Sequence, residues 1–197
     1  MRPRTAVRTS PADEELLFLR RWMANPLKVG AVLPSSPALA RLVARQVRLN
    51  PDEAVVELGA GTGSVTKALL RAGIPAERMF VIEIDPALCT FLRRQFPQAQ
   101  VIQGDATRLT DLVPWKWVGK VSYVISGIPM VPIPLEIQRK MIKAWFDVMT
   151  PNGLLLQYTY SLVSPIPEKK LGVKGRRRGL AVLNLPPAWV WSYRKAA

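Results

Sequence analysis

Histidine is absent from the sequence, and cysteine occurs once, as Cys89. Without an imidazole there is no histidine base, and without a Cys/His cluster there is no zinc site; a lone cysteine closes no internal disulfide. No bound metal is expected. Acidic residues are scarce as well, 14 against 28 Lys and Arg, which gives a net charge of +14 and a pI near 10.6. Such a field attracts polyanions, either nucleic acid or an anionic membrane surface, and charge alone does not choose between them. Long apolar runs are missing: the uncharged stretch from Val121 to Leu135 is interrupted by Pro129, Pro132 and Pro134, so it makes no membrane span. The basic opening residues are not followed by the apolar segment of a signal peptide. The expectation is a cytoplasmic protein with at most a peripheral membrane contact.

What remains is an ordinary globular composition, 49% hydrophobic and 21% charged over 197 residues, enough for one domain with a proper core. Residues 1–12 are basic and polar. From Asp13 to Ala24 the pattern is helical, with Leu16, Phe18, Leu19, Trp22 and Met23 on one side and Asp13, Glu14, Arg20 and Arg21 on the other. Asn25-Pro26 ends it, which divides the chain into an amphipathic segment, 1–24, and a main domain, 25–197. A second helix is expected from about Ser36 to Val47, capped by Ser35 or Ser36.

Beyond Ala54 strands and helices alternate. Val55–Leu58, Met79–Ile84, Gln100–Gln103, Val121–Ile125 and Leu154–Tyr160 read as strands, with helices over Ser64–Ala72, Pro86–Gln95 and Pro134–Met149. Regular alternation predicts a doubly wound, mostly parallel sheet. Leu180–Leu185 and Trp189–Tyr193 are joined by only Pro186-Pro187-Ala188, too short for a crossover helix, so the sheet should close with an antiparallel hairpin. The fold class is therefore α/β, with seven strands. Between strand five and the hairpin, Lys169-Lys170 and Lys174-Gly175-Arg176-Arg177-Arg178 read as a flexible basic loop.

The densest motif is Val55-Val56-Glu57-Leu58-Gly59-Ala60-Gly61-Thr62-Gly63, a strand running through close glycines into a helix. Glycines there permit a sharp turn and a close approach of backbone to ligand, with helix N-terminal amides facing it. The spacing is G-x-G-x-G and not the G-x-G-x-x-G that suits a pyrophosphate. Some twenty residues on, Glu83 ends the second strand, where a carboxylate can accept both ribose hydroxyls; Asp85, on the same side by alternation, is the second candidate. Gln103-Gly104-Asp105-Ala106 follows the third strand, and Asp105 is placed to accept the exocyclic amine of an adenine while the Ala106 amide donates to a ring nitrogen.

In that order the segments resemble the class I S-adenosylmethionine methyltransferases, over roughly Val55 to Tyr160. Within that class they look most like the bacterial phospholipid N-methyltransferases, themselves similar to the ribosomal RNA adenine dimethylases. The lipid-enzyme resemblance rests on Phe18-Leu19-Arg20-Arg21-Trp22, Gly30-Ala31-Val32-Leu33-Pro34-Ser35-Ser36, Ser126-Gly127-Ile128-Pro129 and Asn184-Leu185-Pro186-Pro187-Ala188. It implies that Glu57, Gly59, Gly61, Gly63, Glu83, Ile84, Asp105, Ala106 and Ser126 hold S-adenosyl-L-methionine, which leaves as S-adenosyl-L-homocysteine. Ser126 and Ile128 would lie where the methyl is handed over, with Ser35 and Ser36 toward the substrate.

The RNA dimethylases carry Asn-Leu/Pro-Pro-Tyr/Phe after the fourth strand, the ring stacking on the target base. Ser126-Gly127-Ile128-Pro129 has neither amide nor ring, which counts against a nucleobase and against nucleic acid as partner. An aliphatic ethanolamine needs no such platform. The expected activity is N-methylation of phosphatidylethanolamine toward phosphatidylcholine, with ribosomal RNA adenine N6-methylation as the alternative. Tyr158 and Tyr160 end the fifth strand and are the candidates for positioning the amine, whose proton leaves to water, the lipid phosphate, a tyrosine or a carboxylate. Phe18 and Trp22 would enter the headgroup boundary while Arg20 and Arg21, and separately Arg176, Arg177 and Arg178, meet anionic lipid at the inner face of the cell membrane.

Overall fold

Seven strands form one sheet in the order β3-β2-β1-β4-β5-β7-β6, where β1 is Ala54–Leu58, β2 Met79–Glu83, β3 Gln100–Gln103, β4 Val121–Ser126, β5 Met149–Thr159, β6 Val173–Ala181 and β7 Ala188–Lys195. The computed structural model describes residues 35–196. The expected helix over 13–24, with Phe18, Arg20, Arg21 and Trp22, lies outside the described residues, as does the segment from Gly30 to Pro34. The first five strands are parallel to one another, and β7 pairs antiparallel with both β5 and β6. This is the α/β sheet with a closing hairpin that the alternation implied.

Every residue of β1 and β2 is buried, as central parallel strands covered on both faces must be. Alternation sorts their side chains. Val55, Val81, Ile125, Leu156 and Val190 pack with Leu39 and Val43 of helix α1 (Pro37–Ala44), Val65 and Leu69 of α2 (Ser64–Arg71) and Leu92 of α3 (Pro86–Gln95). The opposite face of the sheet, with Val56, Phe80, Val124 and Leu155, is equally buried and is crossed by α5 (Leu135–Val148), whose inward residues include Met141, Trp145 and Val148. Two short helices complete that side, α4 (Leu109–Leu112) and α6 (Glu168–Leu171). The winding thus reverses between β1 and β4, and the crevice this opens at the carboxyl ends of the strands is where such sheets bind ligands.

Helix starts follow local chemistry. Ser36 caps α1, its hydroxyl accepting from the Leu39 amide at 3.2 Å with Pro37 in the first turn, and Asp85 caps α3 through the Leu88 amide at 2.9 Å with Pro86 behind it.

Two expectations need correction. Strand five begins at Met149 and not at Leu154, taking over the last residue of the expected helix: Met149 pairs with Val121 and Leu154 with Tyr123, so residues 150–153 are absorbed as a bulge in the ladder. The second correction is larger. Lys174–Arg178 is no flexible loop but lies within β6, paired with Tyr193–Arg194 and Trp191–Ser192, and Val182–Leu185, read as strand, is the loop. β6 is the edge strand, where charge is favoured because it blocks further pairing, so the hydrophobic pattern of a strand is missing there. Its glycines serve packing: a Cβ on Gly175 would press on Tyr193 and Glu168, and one on Gly179 would meet Leu42. Arg178 bonds the Ser192 hydroxyl at 2.7 Å, and the Arg177 guanidinium lies over Trp189 and Trp191, 4.7 and 5.2 Å from the ring centroids.

Candidate active site

The turn leaving β1 holds Gly59, Gly61 and Gly63 at φ +67°, +57° and +78°, a left-handed path that side chains disfavour. Their surroundings differ. A Cβ on Gly59 would stand 3.0 Å from Ile128, and one on Gly63 would enter Leu92 and the Phe96 ring, whereas one on Gly61 meets nothing within 4 Å. The outer two glycines let the turn pack; the middle one floors an open space.

Acidic side chains surround that space. Glu83 is buried, with one oxygen accepting from the Gly61 amide at 3.0 Å and the other from the Ile84 and Asp85 amides at 2.8 and 3.1 Å. It ties the glycine turn to the end of β2. Asp85 is committed to capping α3. Glu57 is buried beneath the turn and accepts from the Thr66 hydroxyl of α2 at 2.7 Å; burial raises its carboxyl to a pKa of about 7, the Thr66 bonds opposing the rise. Asp105, 8% exposed, takes the Thr107 amide on Oδ1 at 2.9 Å, and its Oδ2 is buried without a partner. The next residue, Ala106, is anchored from across the layer, its carbonyl accepting from the Trp145 indole of α5 at 2.9 Å.

The exit of β4 closes the other side. Ser126 is fully buried and its hydroxyl accepts from the Ile128 amide at 3.2 Å, so it shapes the turn from within. Gly127 donates to the Leu58 carbonyl at 2.9 Å, and a Cβ there would strike the Tyr158 hydroxyl and stand 2.9 Å from the Gly59 carbonyl oxygen. Tyr158, the β1 turn and the β4 turn therefore converge on one point. Burial pushes the Tyr158 phenol up, beyond the ordinary tyrosine range, with Ser35 beside it as the hydrogen-bonding group. Tyr160 lies on the same face, its hydroxyl buried and unpartnered. The structure does not bring all these residues together: by register Ser126 shares the opposite face with Gln157. Ser36 sits at the start of α1, its amide donating to the Asn184 side chain at 2.9 Å, while Arg176–Arg178 lie out on β6.

Two residues escaped the sequence reading, Gln157 and Trp145, while Asn184, named in the closing Asn184–Ala188 motif, was given no role there. Gln157 is fully buried, donates to the Ile128 and Tyr158 carbonyls at 2.9 and 3.0 Å, and leaves its own carbonyl oxygen without a partner. Its signal was one amide directly after the apolar run Leu154-Leu155-Leu156, within a strand. Trp145 and Asn184 act through long-range contacts that no local pattern announces. Among the described residues no group of three or more His, Cys, Asp or Glu is placed to hold a metal. Apart from this site, a groove of about 780 Å³ runs between α1 and α2, lined by Arg41, Arg45, Arg48, Lys67 and Arg71 with no acidic residue.

An open floor at Gly61, a buried unpartnered acceptor at Asp105 and a carboxyl near neutrality at Glu57 fit a nucleoside that carries an amine at one end and positive charge at the other. A family model described as a methyltransferase domain matches residues 55–153. The chain belongs to the class I S-adenosylmethionine-dependent methyltransferases. It is 33% identical over 146 residues to the ornithine lipid N-methyltransferase of Singulisphaera acidiphila, covering 73% of this chain and 76% of that one. The ribosomal RNA small subunit methyltransferase A of Thermosynechococcus vestitus is 39% identical over 100 residues, but these are 48% of this chain and 36% of that protein. Among solved structures, a TehB-like methyltransferase from Corynebacterium glutamicum shares the fold with a TM-score of 0.58 at 13% identity, over 94% of this chain and 100% of that one. TrmN from Thermus thermophilus gives a TM-score of 0.60 at 14% identity, over 89% and 53%.

Proposed function

We propose that this methyltransferase acts on the headgroup amine of a membrane lipid, phosphatidylethanolamine and its methylated intermediates, toward phosphatidylcholine at the inner face of the membrane. The observation that carries this is the β4 turn. Ser126-Gly127-Ile128-Pro129 offers no aromatic ring and no side-chain amide, and it is packed by aliphatic Ile128 against Gly59, an enclosure suited to a saturated amine and not to a base. The similarity to a lipid N-methyltransferase supports the same acceptor class. No helix among the described residues is long and apolar enough to cross a membrane, so the lipid would be met at the surface.

The bound cofactor supplies an electrophilic methyl on a sulfonium. Asp105 Oδ2 is the free acceptor for its adenine amine, and Glu83, already fixed by three amides, presents its remaining lone pair to the ribose. Glu57 favours its anionic form once a cation is near. Catalysis then consists of alignment and exclusion of water. Tyr158, held as a neutral phenol by burial, orients the amine through its hydroxyl and is not the base; Ser126 and Gln157 are positioning residues that set the turn on which Ile128 sits. The substrate's proton leaves to water or to the lipid phosphate.

The test is labelled S-adenosylmethionine offered to vesicles of phosphatidylethanolamine, to vesicles containing ornithine lipid, and to bulk ribosomal RNA. Label in phosphatidylethanolamine is the expected outcome. Label in ornithine lipid alone keeps the lipid-amine class and moves the substrate; label in RNA alone overturns the reading.

A further inference from the structure

The carboxyl edge of the sheet is divided by charge. Its β3-β2-β1 half carries Glu83, Asp85 and Asp105, whereas the loops of the other half, residues 127–134, 160–167 and 182–187, contain no charged residue, in a chain of which 21% is charged. On those three loops Val131, Leu162, Val163, Val182, Leu183 and Leu185 stand between 64% and 80% exposed. Large aliphatic side chains this open, gathered round the mouth of one site, mark an interaction surface.

The arrangement is built. Asn184 is buried between Leu183 and Leu185, its carbonyl accepting from the Ser36 amide at 2.9 Å and its amide donating to the Pro186 carbonyl at 2.7 Å. With that residue locked inward, the leucines on either side are held out in water, where burial would otherwise favour them. Arg177 braces the second loop, donating to the Leu162 carbonyl at 2.7 Å while stacked on Trp189 and Trp191.

We infer that these three loops form an apolar rim that enters the headgroup boundary of an anionic bilayer and sets the methyl-transfer site against it. Complementary charge selects this occupant. Arg176, Arg177 and Arg178 stand behind the rim on β6, Arg177 four residues from Ala181, about 13 Å back along a strand. Aliphatic tips ahead of guanidiniums on both faces of β6, Arg177 on the Trp191 face and Arg178 on the Ser192 face, match the order of acyl chain and phosphate that a bilayer surface presents. The site would then receive an amine from the membrane plane without lifting the lipid into water. This rests on the lipid-amine reading above, but surface binding is measured apart from methylation.

The experiment uses the full chain and vesicles of phosphatidylethanolamine with phosphatidylglycerol. In a Leu183→Ser/Leu185→Ser variant, which keeps Asn184, co-sedimentation and methylation of vesicle lipid should each fall at least tenfold. Affinity for S-adenosylhomocysteine and methylation of dihexanoyl-phosphatidylethanolamine below its micelle concentration should not change. Independently of that variant's stability, an environment-sensitive dye on Leu185→Cys should shift to the blue on adding vesicles, Cys89 being buried and out of reach. Unchanged sedimentation or an unshifted dye overturns the inference. So does a wild-type dimer in light scattering that the double variant dissociates while vesicles bind neither, since the rim would then belong to a second copy. Wild-type protein that sediments with vesicles but methylates no lipid would leave the rim standing and remove the proposed reaction.

Discussion

Asp105 splits its two oxygens between the fold and the site. Oδ1 holds the Thr107 amide and Oδ2 holds nothing, although both are buried. Asp105→Asn keeps the first bond and turns the second acceptor into a donor, which would face the donor amine of an adenine. Affinity for S-adenosylhomocysteine should fall by about 1–3 kcal/mol, roughly five- to 150-fold in Kd by calorimetry, with little change in melting temperature. Glu57 makes a separate prediction about pH. Its folded pKa of about 7 lies above the ordinary 4.5, so the native state holds the proton more tightly than the unfolded chain. The associated stability is fully present below pH 4.5 and is lost as pH rises through about 7, on the order of 3 kcal/mol in all. Urea midpoints should decline across that window in the wild type and stay level in Glu57→Gln. Cofactor binding near pH 7 should release a proton, seen as a buffer-dependent heat that the same variant lacks.

Among the elements, α5 reaches the site without touching the ligand. The Trp145 indole, fully buried, donates to the Ala106 carbonyl and so fixes the segment that carries Asp105. Trp145→Phe strands that carbonyl in the interior and should cost about 1–3 kcal/mol in denaturant unfolding, with weaker cofactor binding as a second readout. This link also shows where sequence reading ends. β1 to β4, the main helices between them and the place of Glu57, Glu83 and Asp105 at the carboxyl edge were legible because local signals agree there: Ser36 as a cap, glycines at strand exits, unbroken apolar runs; the capping role of Asp85, expected as a second ribose contact, was not. β6 was hidden because an edge strand carries charge where a strand is expected to be apolar. The roles of Gln157, Trp145 and Asn184 were hidden because their partners lie 29, 39 and 148 residues away.

For the whole molecule, the excess of 28 basic over 14 acidic residues is concentrated in part along the α1–α2 groove. Arg41, Arg45, Arg48, Lys67 and Arg71 are exposed there, and none forms an ion pair among the described residues. Their mutual repulsion is carried by the fold and screened by salt. Arg45→Ser/Arg48→Ser should therefore raise the melting temperature at low ionic strength and leave it unchanged at high salt. The strand order has its own consequence for biosynthesis. β7 lies between β5 and β6 yet is the last of the three to be made, and β6 has no other neighbour in the sheet. A growing chain thus leaves the ribosome with the β5 flank bare and β6 unmoored until one final ribbon slides between them as a keystone. Nascent chains stalled before Ala188 should need chaperone cover that finished ones do not.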